Sequence, residues 1–172
     1  MSFVQKKVML LGDIGVGKSS IARRMVFNTF ESTYKTTIGV DIHSCDIDLA
    51  DTEQADGLRL SIWDTDGDFG VGIFQTVYIR GASGALVVAD VTRPRSLEKL
   101  QGLVQAFQEH LPGRPVVSVL NKTDLMTAMD VANIQDRLDQ RGEGVFATSA
   151  LRGEGIREAF SGLARFIVQR AL

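Results

Sequence analysis

The chain has 172 residues, 44% of them hydrophobic, which suits one domain spanning residues 1–172 with a substantial core and leaves no room for a second. A formal net charge of −2 and a sequence pI near 5.7 give no electrostatic footprint for nucleic acid or an anionic membrane, so neither is an expected partner. The single cysteine, Cys45, excludes an internal disulfide framework, and no stretch approaches a membrane span or a secretory signal, which points to a cytoplasmic protein without direct membrane insertion.

In chain order, Lys7 to Leu11 reads as a strand. It runs straight into Gly12-Asp13-Ile14-Gly15-Val16-Gly17-Lys18-Ser19, a complete G-x-x-x-x-G-K-[ST] phosphate-binding loop. Its glycines let backbone N–H groups converge on phosphate oxygens, Lys18 supplies a cation for the β and γ phosphates, and the Ser19 hydroxyl is a Mg2+ ligand. The helix that begins near Lys18, with Ser20 in its first turn, points its positive end at the same phosphates. Next, two extended runs, Val40 to Leu49 and Leu58 to Trp63, flank the polar turn Asp51 to Gly57 and predict a β-hairpin, hence one antiparallel strand.

Gly84 to Asp90, Pro115 to Asn121 and Gly144 to Thr148 read as further strands. Between them a helix is expected from Ser96 as N-cap, with Leu97, Leu100, Val104, Phe107 and Leu111 at helical spacing before Pro112-Gly113 stops it. A second runs from about Asp130 to Gln140 with Val131, Ile134 and Leu138 inward, and the last starts at about Gly155 with Ile156, Phe160, Leu163 and Ile167 on one face. Alternation of this kind predicts an α/β domain with a mostly parallel sheet covered on both faces. With Ser2 after Met1 and no cysteine near Val168 to Leu172, lipidation is not written here, so peripheral membrane association is expected only through a partner or a missing tail.

A phosphate loop by itself leaves kinases, ATPases and GTPases open, and Asn121-Lys122-Thr123-Asp124 decides between them. The Asp124 carboxylate can accept from N1–H and the exocyclic amine of guanine, whereas adenine would leave it unpaired. Lys122 can lay its alkyl stem over the base, Asn121 can tie this loop to the phosphate loop, and Thr148-Ser149-Ala150 offers backbone N–H groups to the guanine oxygen. Thr37 and Asp64 are placed to meet Mg2+, Asp64 through a water, and Gly67 is free to turn its N–H toward a γ-phosphate. A kinase or ATPase reading is disfavoured by Asp124 and by the lack of an acceptor-substrate lid.

These motifs together resemble a Ras-superfamily small GTPase, closest to the Rab type, over nearly every residue. Thr37-Ile38-Gly39-Val40-Asp41, Trp63-Asp64-Thr65, Tyr78-Ile79-Arg80-Gly81-Ala82 and Asp90-Val91-Thr92 resemble the matching Rab segments. The resemblance implies a P-loop NTPase three-layer sandwich, with a six-stranded, mostly parallel sheet and five helices. It also implies a GTP/GDP cycle with Mg2+ on Ser19, Thr37 and Asp64, and catalytic places at Lys18, Thr37, Gly67 and position 68. By the same resemblance Phe30 packs against the guanine edge and Tyr34 closes over the phosphates. Effector and regulatory proteins would meet switch I (residues 34–42) and switch II (residues 66–80) of a chain that is monomeric when free.

The departures from the pattern lie where hydrolysis happens. Asp68 stands where the family has a glutamine that orients the attacking water; it is shorter by one methylene and, as a carboxylate, cannot donate a hydrogen bond. Asp64, Asp66 and Asp68 bring negative charge toward a polyphosphate unless Mg2+ offsets it or the loop swings outward. Ile14 replaces a small or short polar residue and would crowd an arginine finger or the reoriented water. Leu151 replaces a lysine after Ser149-Ala150, which removes a contact to the base but spares the backbone interaction. Slow hydrolysis is therefore expected, with a guanine-nucleotide-binding module of negligible turnover as the alternative, or a partner that supplies the catalytic group. Phe69, Val71, Ile73, Phe74 and Val77 make switch II unusually apolar, as a partner surface or as packing on the neighbouring helix, and Gly70 and Gly72 leave it flexible.

Overall fold

The computed structural model describes residues 3–49, 56–138 and 143–170. Strands β1 (Val4–Gly12), β2 (Val40–Asp48), β3 (Gly57–Thr65), β4 (Ala82–Asp90), β5 (Val116–Asn121) and β6 (Val145–Ala147) form one sheet in the order β2-β3-β1-β4-β5-β6. Only the β2–β3 pair is antiparallel. Its register runs from Val40 opposite Thr65 to Asp48 opposite Gly57, and one further bond, from the Asp66 amide to the Gly39 carbonyl at 2.9 Å, extends it past the strand ends. The expected turn residues Asp51 to Ala55 lie outside the described residues; on either side of them the Leu49 amide donates to the Asp56 carbonyl at 3.0 Å.

Four α-helices cover the sheet: α1 (Lys18–Phe27), α2 (Pro94–His110), α3 (Ala128–Leu138) and α4 (Ile156–Arg170). Besides two single-turn 3-10 segments among the described residues, Val77–Ile79 and Thr123–Leu125, the fifth expected helix is a 3-10 helix, Gly67–Gln75, broken by Gly70 at φ 48. Its three glycines and the departure of Gly70 from helical geometry account for the tighter, interrupted winding. The alternation that sets the layers is visible along β1. Val8 and Leu10 enter the core shared with α1 and α4, while Met9 and Leu11 enter the core shared with α2. Every residue of β4 is buried, as befits an inner strand of a parallel sheet with both faces covered. Phe160 of α4 and Phe107 of α2 anchor the two sides.

Two helix starts differ from the sequence expectation. α2 begins at Pro94 rather than after Ser96, because proline at the first turn loses no needed N–H and its fixed φ already suits a helix. Ser96 is instead fully buried, accepting from the Asp90 amide at 3.0 Å and lying 2.8 Å from the Arg93 carbonyl oxygen, so it fastens α2 to the end of β4. α3 begins at Ala128, not Asp130. Thr127 precedes it, accepts from the Asp130 amide at 3.2 Å and donates to the Asp130 carboxylate at 2.8 Å, a reciprocal cap in which Asp130 is the third helical residue. The expected C-terminus of that helix at Gln140 lies outside the described residues.

The apolar 67–77 segment divides between the two readings it allowed. Ile73 and Phe74 are buried against α2, with Phe74 at 6.4 Å edge-on from Phe107 and stacked at 4.8 Å on His110. Phe69 is half-buried beside Tyr78, while Val71 and Val77 remain exposed.

Candidate functional site

The parallel strands all end on one edge of the sheet, the edge where α/β proteins place their ligands. There the loops after β1, β3, β5 and β6 surround a pocket of about 430 Å³. Gly12 and Gly17 have φ of 151° and 102°, and a Cβ on Gly17 would lie 2.3 Å from the Asn121 side-chain nitrogen, so this turn is open only to glycine. Lys18 follows at the start of α1. Its buried ammonium donates to the carbonyls of Gly12 at 2.9 Å and Asp13 at 2.8 Å, which curls the loop around the cation. Burial pulls the Lys18 pKa down to about 8, with the Asp64 charge the main counterweight.

Asp13 points out of the pocket toward α2, where Lys99 reaches it at 2.7 Å and Arg93 at 3.0 Å. Arg93 also donates to the Ile14 carbonyl at 2.8 Å. Burial alone would raise the Asp13 carboxyl, but the Lys99 hydrogen bond, the Ile14 amide and the two cations outweigh it and hold the group below its ordinary range.

Three oxygen donors converge beneath Lys18. Ser19 Oγ lies 2.5 Å from Asp64 Oδ2 and 2.7 Å from Thr37 Oγ1. The other oxygen of Asp64 is the one buried side-chain polar atom among the described residues that has no hydrogen-bond partner. Two hydroxyls and a carboxylate with a spare lone pair are the hard donors that Mg2+ takes, so these residues fit that ion. Burial first, and the Asp41 charge after it, lift the Asp64 carboxyl against the pull of Ser19 and Lys18, a cost that a divalent cation would relieve.

The opposite end of the pocket is a closed hydrogen-bond network. Asn121 donates to the Val16 carbonyl at 3.0 Å, and its oxygen accepts from Thr148 Oγ1 at 3.1 Å and the Ala150 amide at 3.2 Å, joining three loops through one side chain. Lys122, at φ 65°, donates to the Gly15 carbonyl at 2.8 Å and pairs with buried Asp90 at 2.9 Å. Asp124 is oriented by Ser149, whose hydroxyl donates to it at 2.7 Å, and the 149–154 turn is closed by reciprocal Ser149–Glu154 backbone bonds.

Of the residues singled out in the sequence, Ile14, Gly15, Gly17, Lys18, Ser19, Ser20, Phe30, Tyr34, Thr37, Gly67, Asn121, Lys122, Asp124, Ala150 and Leu151 line the pocket. Gly12, Asp13, Val16, Asp64 and Ser149 stand behind that wall as supports. Asp68 is placed differently from the catalytic expectation: it is exposed and outside the wall, and Asp66 lines the pocket instead. The Asp68 amide donates to the Asp66 carboxylate at 2.9 Å, capping the 3-10 segment and turning the chain outward at that point. Gly67 lies so close to the phosphate loop that a Cβ there would come within 2.5 Å of the Ile14 amide nitrogen. Arg23, Glu31 and Lys35 also line the pocket, linked by Glu31 ion pairs at 3.5 Å and 3.1 Å, and nothing in their local sequence marked them. Asp90 was missed as well, although its register opposite Asn121 in adjacent strands is a signal that strand pairing alone supplies.

Residues 7–169 match the Ras family. Ras-related protein Rab-13 of Bos taurus is 33% identical over 168 residues, covering 96% of this chain and 81% of its own. RABA2a of Arabidopsis thaliana is 35% identical over 159 residues, at 90% and 70% coverage, and RAB1BV of Beta vulgaris is 35% identical over 170 residues, at 95% and 76%.

Proposed function

Because this chain belongs to the Ras family and resembles its Rab members, we propose that it is a Mg2+-dependent guanine-nucleotide switch with slow intrinsic GTP hydrolysis. The carrying observation is the base end of the pocket, where Ser149 holds the Asp124 carboxylate at 2.7 Å in position to accept from N1–H and the 2-amino group of guanine. Lys18 and the amides of the loop take the polyphosphate, while Ser19, Thr37 and Asp64 would hold Mg2+, whose charge would neutralise part of that of the phosphates.

Slow turnover rests on what the γ-phosphate end lacks. Ile14 lines the pocket and is 40% exposed, so its branched side chain would crowd an incoming water or catalytic cation, and Asp68 is exposed outside the pocket lining and, as a carboxylate, does not donate to water. A reading as a binding module with negligible turnover draws on the same two residues. Effector and regulatory proteins are assigned to residues 34–42 and 66–80, where Ile38, Ile42, Val71 and Val77 are exposed. Among the described residues no helix is long and apolar enough to cross a membrane, and peripheral attachment is assigned to a partner or a further segment.

The test is single-turnover hydrolysis of bound GTP by the parent, Ile14→Gly and Asp68→Gln. A slow parent with at least one variant faster by about tenfold supports the reading. A parent as fast as ordinary family members, or two variants at the parental rate, removes the account of Ile14 and Asp68. Undetectable turnover in all three proteins selects the binding module.

A further inference from the structure

One guanidinium that never touches the pocket holds both flanks of its base end. Arg24 lies on the last turn of α1, and its Nε donates to the Ala150 carbonyl at 2.9 Å while Nη2 donates to the Leu151 carbonyl at 2.8 Å. Its third nitrogen, Nη1, donates to the Asn28 carbonyl at 3.2 Å. Asn28 caps α1 in the left-handed region at φ 53° and returns its own amide to the Arg24 carbonyl at 3.0 Å, so side chain and backbone of one residue fix the exit from the helix. Two residues later Phe30 enters the pocket wall. On the other flank the 149–154 turn wraps the arginine, with a Cβ at Gly153 falling 3.4 Å from Arg24 Cδ.

We infer that Arg24 is a positioning residue for guanine recognition: its planar fork sets the spacing of the Ala150 and Leu151 carbonyls and thereby places the turn so that the Leu151 amide, with the Ala150 amide held by Asn121, faces the purine 6-oxygen. This deepens the guanine reading and rests on it. Asp124 reads the N1 and 2-amino positions from a separate loop and is steadied from this turn by the Ser149 hydroxyl, while Arg24 fixes the turn's own backbone, whose amides face position 6. A lysine at position 24 keeps the charge but offers one point instead of a fork, and alanine leaves the Ala150, Leu151 and Asn28 carbonyls without their shared donor.

The experiment measures release of ribose-labelled GDP and of its 6-thio analogue from the parent, Arg24→Ala and Arg24→Lys. The analogue keeps the N1–H and 2-amino donors but presents sulfur, a weak acceptor, at position 6. Arg24→Ala should speed GDP release by about ten- to a hundredfold, Arg24→Lys by less, and the preference for GDP over the analogue should shrink in the same order. Equal acceleration of both nucleotides would mean that Arg24 only stabilises the fold, and release at the parental rate would mean that the contacts do not matter; either overturns the inference while leaving the guanine reading intact. A parent that holds neither nucleotide overturns both. Thermal unfolding identifies an alanine variant that fails to fold, in which case the lysine variant's selectivity decides.

Discussion

At the base end of the pocket, Asn121, Thr148 and Ser149 are at most 1% exposed and every one of their side chains is hydrogen-bonded across loops. At the γ-phosphate end Ile14 is 40% exposed, Tyr34 62% and Ile38 89%, and the segment after Asp64 is a glycine-interrupted 3-10 helix. The contrast separates two tasks. Groups that must recognise a fixed shape are preorganised before the ligand arrives, so binding spends little on ordering them. Groups that must report which ligand is present sit in weakly held segments whose arrangement a ligand or partner can select.

Removing the reader at the base end should have the largest effect. Asp124→Ala is expected to lower GDP affinity by about three powers of ten in a fluorescent-nucleotide titration, because the guanine donors then lose their only paired acceptor. Parental affinity would move recognition elsewhere. The joint between the two ends comes next: Gly17→Ala puts a methyl group into the Asn121 amide at a φ that L side chains rarely adopt, and should cost about 2–4 kcal/mol in chemical denaturation. An unchanged midpoint would show that the ends are not locked through this contact.

The smallest effect concerns the strut behind the phosphate loop. Asp13→Asn removes the charge that Lys99 and Arg93 share and should cost about 1 kcal/mol at neutral pH, since both cations are themselves half-exposed. The folded Asp13 carboxyl is held below its unfolded value, so its stabilisation is complete above about pH 4 and fades as pH falls through the depressed folded value. The gap between parent and variant in thermal unfolding should therefore close in acid, and a gap that widened there would contradict the pairing.

Sequence reading reached the parts of this site that are contiguous in the chain. Gly12 to Ser19 and Asn121 to Asp124 carry their chemistry in fixed local spacing, and the β2–β3 hairpin announces itself by two extended runs around a polar turn. The supports were not legible in the same way. Asp13 meets partners 80 and 86 residues away, and Arg24 meets carbonyls 126 and 127 residues away, contacts that exist only once the strand order is known. Helix starts failed for a local reason instead: a plausible cap at Ser96 competed with Pro94, and the stiffer residue set the boundary. Asp68 follows the outward alternative for its loop: a motif fixes the position of a residue in sequence, while the Asp66 carboxylate, by capping the Asp68 amide, decides which way the chain turns.

The bond from the Asp66 amide to the Gly39 carbonyl makes residues 34–42 and 66–80 ends of one zip. Fraying from that end frees Gly39 and Asp66 in a single event, so hydrogen exchange of the amides near them should rise and fall in concert. A grip on Thr37, two residues before the rung, would slow exchange at Asp66 without touching it.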